Sequence, residues 1–196
     1  NRVFWFDQLV TFDAWRSIAL WRSSELIESA LTLRERNSLV GCAALSRSAF
    51  ELAISSLVVS GRLCQVLNKI DTDLLTQAFC GSRSFPADVE LAIFGTRVQD
   101  AESVGLPSQK SVLTYISQLE KLSPDVDIRK NYDLLCDVTH PSWLGNRPFY
   151  RRSDQGTIAR ASREYDPSWQ AEVDALSTTV LSWSAQATVN VMLQSH

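Results

Sequence analysis

Three residues have side chains that could form one catalytic site. Arg47 and Glu51 lie one helical turn apart in the segment RSAFE, and His140 lies far downstream in the segment THPS. A histidine exchanges protons near neutral pH, whereas an arginine binds phosphate oxygens and stabilises the charge that develops on them. The other histidine, His196, is the final residue, where chains tend to fray. We therefore take His140 as the candidate acid or base, with Arg47 and Glu51 as the charged residues that could join it in one site.

The charged pair lies in the middle of a long apolar segment. Residues 38–67 contain no proline and few charges, and at about 3.6 residues per turn they predict a helix of roughly eight turns. One side carries Val40, Ile54 and Val58 with the charged pair, and the other carries Leu45, Leu52, Val59 and Leu63. A helix that is apolar on both sides is central to its domain. Burying one charge alone would be costly, so we expect Arg47 and Glu51 to be buried as a pair.

His140 lies where a predicted helix has to stop. That helix opens near Ser123 and Pro124, carries a buried stripe that includes Tyr132 and Thr139, and ends because Pro141 disfavours helical geometry at His140. A side chain at such a position can face a pocket while its backbone stays anchored. A purely structural interpretation stays open, in which Arg47 and Glu51 pair in the core and His140 caps helix carbonyls.

Basic and aromatic residues are interleaved after His140. The arginines are Arg147, Arg151, Arg152, Arg160 and Arg163, and the aromatic residues are Trp143, Phe149 and Tyr150. Arginine forks bind phosphates and aromatic rings stack on bases, so this loop is a candidate RNA-binding segment. The predicted substrate-binding residues are Tyr132, Ser142, Arg147, Arg151 and Arg152. The alternative is a solvated β-hairpin with a basic edge, because PFYRR and TIARA flank the turn-like SDQG.

The sequence predicts neither a metal nor a cofactor. Asp133, Asp137 and His140 share one helical face, but di-iron bundles need two Glu-x-x-His pairs, and this chain has no second interior histidine. Gly-rich phosphate loops, GxSxG and HExxH are absent. Four scattered cysteines without a CxxC pair are typical of a reduced protein, and no signal peptide is evident. We therefore expect a cytoplasmic protein that does not enter a membrane.

The overall prediction is an all-α fold, a single helical bundle over residues 1–196 built around the helix at residues 38–67. The other predicted helices cover residues 7–36, 71–80, 86–99, 108–122, 124–139 and a last one from 167 onward. The last helix carries Trp169, Val173, Leu176, Val180 and Trp183, more than one flank of a surface helix needs. We therefore predict a homodimer through the terminal helices. The chain begins at Asn1 and its only methionine is Met192, so we expect a piece of a longer product.

The segments RSAFE and YDLLCDVTHPS together resemble the uncharacterised bacterial branch of the HEPN superfamily. The resemblance implies an all-α domain that dimerises. It also implies a metal-independent RNase of a defence or toxin–antitoxin system, with an antitoxin or another domain of that system as partner. Active members carry an arginine, a polar residue and a histidine close together on one helix. Here ten residues separate His140 from Arg129, the nearest upstream arginine. The resemblance thus implies His140 as the base, and Arg47 as the arginine only if the fold brings it there.

Two hypotheses from different classes follow. The first is a metal-independent endoribonuclease, favoured by the single well-placed histidine and the basic loop. In this hypothesis His140 moves a proton, Arg47 stabilises charge on the phosphate, and Glu51 orients Arg47 or His140. The second is a catalytically silent dimerisation, sensor or small-ligand-binding domain, favoured by the net charge of -3 and the interrupted motif. They are distinguished by whether Arg47, Glu51 and His140 meet at an open cleft.

Overall fold

The computed structural model describes residues 2–67, 85–95, 110–122, 127–152, 159–161 and 165–193. Within these residues the fold is an all-α bundle, as the hydrophobic periodicity predicts. Its helices are α1 (Arg2–Glu35), α2 (Leu39–Leu67), α3 (Phe85–Phe94), α4 (Val112–Leu122), α5 (Ile128–Thr139), the single-turn α6 (Trp143–Asn146) and α7 (Pro167–Leu193). A 3₁₀ turn, Arg147–Phe149, follows α6.

Short strands occupy the region where the sequence predicts a hairpin. The strands β1 (Tyr150–Arg152) and β2 (Ala159–Ala161) pair antiparallel, with Tyr150 opposite Ala161. The first helix begins at Arg2, earlier than the predicted start at residue 7. Residues 2–6 contain no proline or glycine that would stop a helix. The predicted helix over 71–80 and the predicted loop over 100–108 lie outside the described residues. Three predicted helix ends are wrong, because α3 ends at Phe94 rather than 99, α4 begins at Val112 rather than 108, and α5 begins at Ile128, after its cap Asp127, rather than at 124.

Helix α2 is the centre of the bundle. It packs against α1, α3, α4, α5 and α7. Small buried residues let the neighbouring helices approach closely, and they include Cys42, Ala43, Ser46, Ala49 and Ala53. Phe50 and Ile54 are larger and fill the main core together with residues of α4, α5 and α7. Burial on both sides of α2 is what its two apolar stripes predict.

By length and composition alone, the stretch Leu39–Gln65 of α2 could also cross a membrane, and it is the one such helix among the described residues. In this fold 56% of its most apolar window is buried against the protein's own helices. Core helices of proteins that never enter a membrane meet the same criteria. The apolar stretch of α2 is therefore explained by its place in the core of the bundle.

Helix α7 uses its apolar face inside its own chain. Asp166 caps the helix, since its Oδ1 accepts from the backbone N–H of Trp169 at 3.0 Å, and Pro167 is the first helical residue. Trp169, Val173 and Val180 are fully buried in the main core, and Trp183 packs edge-on against Phe50. The residues that suggested a dimer interface therefore pack against other helices of the same chain.

Candidate functional site

Helices α2 and α5 pack so that Arg47 reaches the C-terminal end of α5. The Nη1 group of Arg47 donates to Thr139 Oγ1 at 3.1 Å and lies 3.3 Å from His140 Nε2, although His140 is 93 positions away in sequence. The Nε group of Arg47 lies 3.2 Å from Glu51 Oε1. The fold thus brings together the three predicted site residues, with Thr139 joining them. We call these four residues the Arg47 cluster.

The contact with Arg47 sets which ring nitrogen of His140 can accept a hydrogen bond. A guanidinium offers N–H donors and no acceptor, so His140 Nε2 has to accept. The tautomer compatible with this hydrogen bond carries its proton on Nδ1. Its side chain is exposed, so a basic nitrogen is held at the surface next to a permanent positive charge.

Arg47 and Glu51 are less buried than predicted. Their side chains are 27% and 32% exposed, so the expectation of a fully buried pair is wrong. The physical reason is that α5, which packs beside the pair, ends at Thr139 and so covers it only in part. At this exposure the ion pair is worth at most about 1 kcal/mol, and both charges remain within reach of a ligand.

The backbone at His140 is held in place by the end of α5. Its N–H donates to Cys136 O at 2.9 Å, which is a helical bond, while its dihedral angles (φ -94°, ψ 160°) are extended. Pro141 enforces that change, because it excludes helical geometry at the residue before it. The chain therefore turns away from the helix at the residue whose side chain meets Arg47.

Ser142 and Gly145 lock the turn that follows. The Ser142 hydroxyl donates to Asp137 O at 2.5 Å and accepts from Gly145 N–H at 3.2 Å. A Cβ atom at Gly145 would lie 2.3 Å from the carbonyl oxygen of His140, so only glycine allows this close approach. Ser142, predicted to bind substrate, has its hydroxyl committed to shaping the turn.

Tyr132 lies one turn before Cys136 on α5, close to the Arg47 cluster. Burial raises the pKa of the Tyr132 phenol, and its hydrogen bond with the Cys136 side chain and the nearby Glu51 carboxylate raise it further, against an opposing effect of Arg47. The phenol therefore stays protonated well above neutral pH. It is a neutral hydrogen-bonding group beside two charged ones.

This raised pKa makes the stability of the fold depend on pH on the alkaline side. A tyrosine in the unfolded chain ionises at about pH 10, whereas Tyr132 in the folded protein keeps its proton to higher pH. The stability linked to this group is fully present below about pH 10 and is lost as the pH rises from there toward the folded-state pKa. We expect Tyr132→Phe to decline less than the wild type in urea unfolding between about pH 9 and pH 11. Equal declines would contradict this assignment.

The predicted basic loop contributes little to the Arg47 cluster through its described residues. Arg147 turns toward the start of α7, with Nη1 3.8 Å from Glu172 Oε2 and Nη2 3.4 Å from Ser168 Oγ. Arg151 and Arg152 lie on β1, but their side chains are outside the described part of the structure. Their predicted role in substrate binding remains a prediction.

An acidic groove of about 730 Å³ runs along a different face of α5. It is lined by Glu120, Asp127, Arg129, Lys130, Asp133, Leu134 and Asp137. Arg129 is paired with Asp133 and Lys130 with Asp127, so the two cations are already engaged. Four carboxylates against two cations do not suit a polyanion. Across the described ranges, no three His, Cys, Asp or Glu side chains converge on a point where a metal could bind.

No protein-family model, curated protein or solved structure matches this chain.

Proposed function

We propose that this protein is a HEPN-like, metal-independent endoribonuclease of a bacterial defence or toxin–antitoxin system. It would act in the cytoplasm on RNA, under the control of an antitoxin or another domain of the same system. The single observation that carries the proposal is the 3.3 Å contact between Arg47 Nη1 and His140 Nε2. The interrupted motif in the sequence separates the arginine from the histidine, and the packing of α2 on α5 supplies the missing proximity.

The arrangement suits cleavage by attack of a ribose 2′-hydroxyl on the adjacent phosphorus. Arg47 would bind the phosphate and stabilise its growing negative charge, with Glu51 orienting the guanidinium. His140 would make one of the two proton transfers, taking the hydroxyl proton or protonating the oxygen that leaves. Within the described residues no acceptor meets the Nη2 group of Arg47, so that edge is available for a phosphate oxygen.

The test is cleavage of a single-stranded RNA by the purified protein in the presence of EDTA. A 2′-O-methyl RNA of the same sequence is the matched control, because it lacks the attacking hydroxyl. We expect the RNA to be cut and the methylated strand to survive. Cleavage that stops in EDTA, or that also consumes the methylated strand, would contradict the proposed chemistry.

A second candidate function is a catalytically silent dimerisation, sensor or small-anion-binding domain. It is favoured by one specific observation, namely that Arg47 already has partners within the protein, with Thr139 and His140 at Nη1 and Glu51 beside Nε. Such a domain would bind inorganic phosphate or a nucleotide at Arg47 without cutting RNA. The same EDTA assay, run beside a titration with inorganic phosphate, separates the two functions.

We further propose a homodimer, formed by the outer face of α1 rather than by α7. Exposed apolar residues cluster within an arc of about 100° on that helix. They are Phe6, Val10, Leu20, Trp21 and Leu31. Trp21 is 68% exposed, and such a row of large apolar side chains marks an interaction surface.

Replacing Trp21 with glutamate should therefore abolish the dimer. A charge in the middle of an apolar interface would be desolvated without a partner, which costs several kcal/mol. Light scattering across micromolar concentrations is the measurement. Trp143→Glu is the control, because Trp143 is also highly exposed but lies on α6. A wild-type monomer, or a Trp21→Glu dimer, would refute the α1 interface.

A further inference from the structure

We infer that Thr139 is a positioning residue for the Arg47–His140 pair. The inference rests on the proposed function and extends it, because it explains how Arg47 keeps its place when His140 leaves it to act on substrate. Thr139 belongs to the buried stripe of α5 by sequence, and its role depends on where its hydroxyl points.

The single proton of the Thr139 hydroxyl is committed to its own helix. Oγ1 lies 2.8 Å from Leu135 O and 3.2 Å from Cys136 O, the bonds that a threonine makes to the preceding helical turn. The lone pairs of the oxygen then point away from the helix, and one of them accepts from Arg47 Nη1 at 3.1 Å. Thr139 is thus a fixed acceptor whose orientation is set by the backbone of α5.

Thr139 and Glu51 together hold two corners of one guanidinium. Glu51 faces Nε at 3.2 Å and Thr139 faces Nη1, and both residues are anchored on helices. The hydrogen bond to Thr139 sets the position of Nη1, while the ion pair with Glu51 attracts the Nε side of the guanidinium. The Nη2 group therefore keeps a constant direction. His140, the residue after Thr139, contacts the same Nη1 group that Thr139 binds.

This sharing matters for the proposed chemistry. In the structure His140 Nε2 accepts from Arg47, so the basic nitrogen is occupied. When a phosphate oxygen takes an N–H of Arg47, His140 can release the guanidinium and use Nε2 for proton transfer. Without the Thr139 hydroxyl, only the ion pair with Glu51 would hold the guanidinium once His140 has released it, and the distance between Arg47 and His140 would vary.

The experiment compares Thr139→Val with Thr139→Ser. Valine keeps the shape of threonine and removes the acceptor, whereas serine keeps the hydroxyl. Thr32→Val is the matched control, since Thr32 also bonds to the carbonyl four residues earlier, at 2.9 Å from Glu28 O, on an exposed face of α1. All variants are made in the full chain, and their melting temperatures are measured first.

Two readouts are then taken. For Thr139→Val we expect kcat for RNA cleavage to fall about 10- to 100-fold, the equivalent of one hydrogen bond to a charged group, with serine restoring it. In ¹⁵N spectra of the imidazole rings, the wild type should show His140 protonated on Nδ1 only. Thr139→Val should show a mixture of the two neutral tautomers.

The outcomes are distinguishable. If Thr139→Val matches Thr32→Val in both readouts, Thr139 does not position the pair and the inference is overturned. If the wild type cleaves no RNA, the proposed nuclease function fails. In that case the imidazole spectra alone decide whether Thr139 sets Arg47 against His140.

Discussion

Replacing His140 with alanine should lower RNA cleavage by about 100- to 10⁴-fold, the contribution that one general acid or base commonly makes. The fold should survive, because the side chain is exposed and the backbone N–H that bonds to Cys136 O is unchanged. We expect a loss of stability of no more than about 1 kcal/mol, and an unchanged oligomeric mass. The measurements are the initial rate of RNA cleavage in EDTA, the melting temperature and light scattering.

His196→Ala is the control for this experiment, since it removes the other histidine of the chain. Its activity should equal that of the wild type. Full cleavage by a folded His140→Ala protein would remove His140 from catalysis. No other interior histidine exists to take its place, so the proposed proton transfer would be wrong as well.

Replacing Trp169 with alanine should destabilise the protein by about 3–5 kcal/mol, the usual cost of emptying a large buried aromatic site. Trp169 is fully buried, stacks beside Tyr165, and donates from its indole N–H to Leu144 O at 3.0 Å. That bond ties the start of α7 to α6, the helix just after His140. We therefore expect a melting temperature lower by roughly 10 °C, measured by circular dichroism.

Two further variants show which part of that effect comes from packing. Trp169→Phe keeps a six-membered aromatic ring but loses the hydrogen bond to Leu144 O, so it should lower the free energy of unfolding by about 1–2 kcal/mol. Trp143→Ala removes a tryptophan that is 77% exposed and should change stability by about 0.5 kcal/mol or less. Equal losses for the buried and the exposed tryptophan would contradict the placement of the core.

The helices could be predicted because their signals are local. Asp166 and Pro167 mark the start of α7, and Pro141 marks the end of α5, each through a constraint that acts on its immediate neighbours. The position of α2 at the centre followed from apolar residues on both of its sides. The spacing of Arg47 and Glu51 likewise fixed their i,i+4 ion pair.

The rest depended on tertiary packing, which no local pattern specifies. The sequence identified Arg47 and His140 as candidates, but their contact exists only because α2 packs on α5. The degree of burial of the charged pair depends on where α5 stops in space, and the hydroxyl of Thr139 could have pointed into the core. Trp169 looked like an interface residue because a buried face is the same in sequence whether a partner or the chain itself covers it.

The two halves of the Arg47 cluster are also separated in time. During synthesis at about 5–20 residues per second, His140 is added on the order of 10 s after Arg47, because 93 positions lie between them. Helix α7, which supplies Trp169 and Val180 to the same core, is made later still. A partly translated chain therefore carries the arginine without its histidine. If the protein cuts RNA, the ribosome that makes it would be safe from that particular molecule until nearly the whole described chain has been translated.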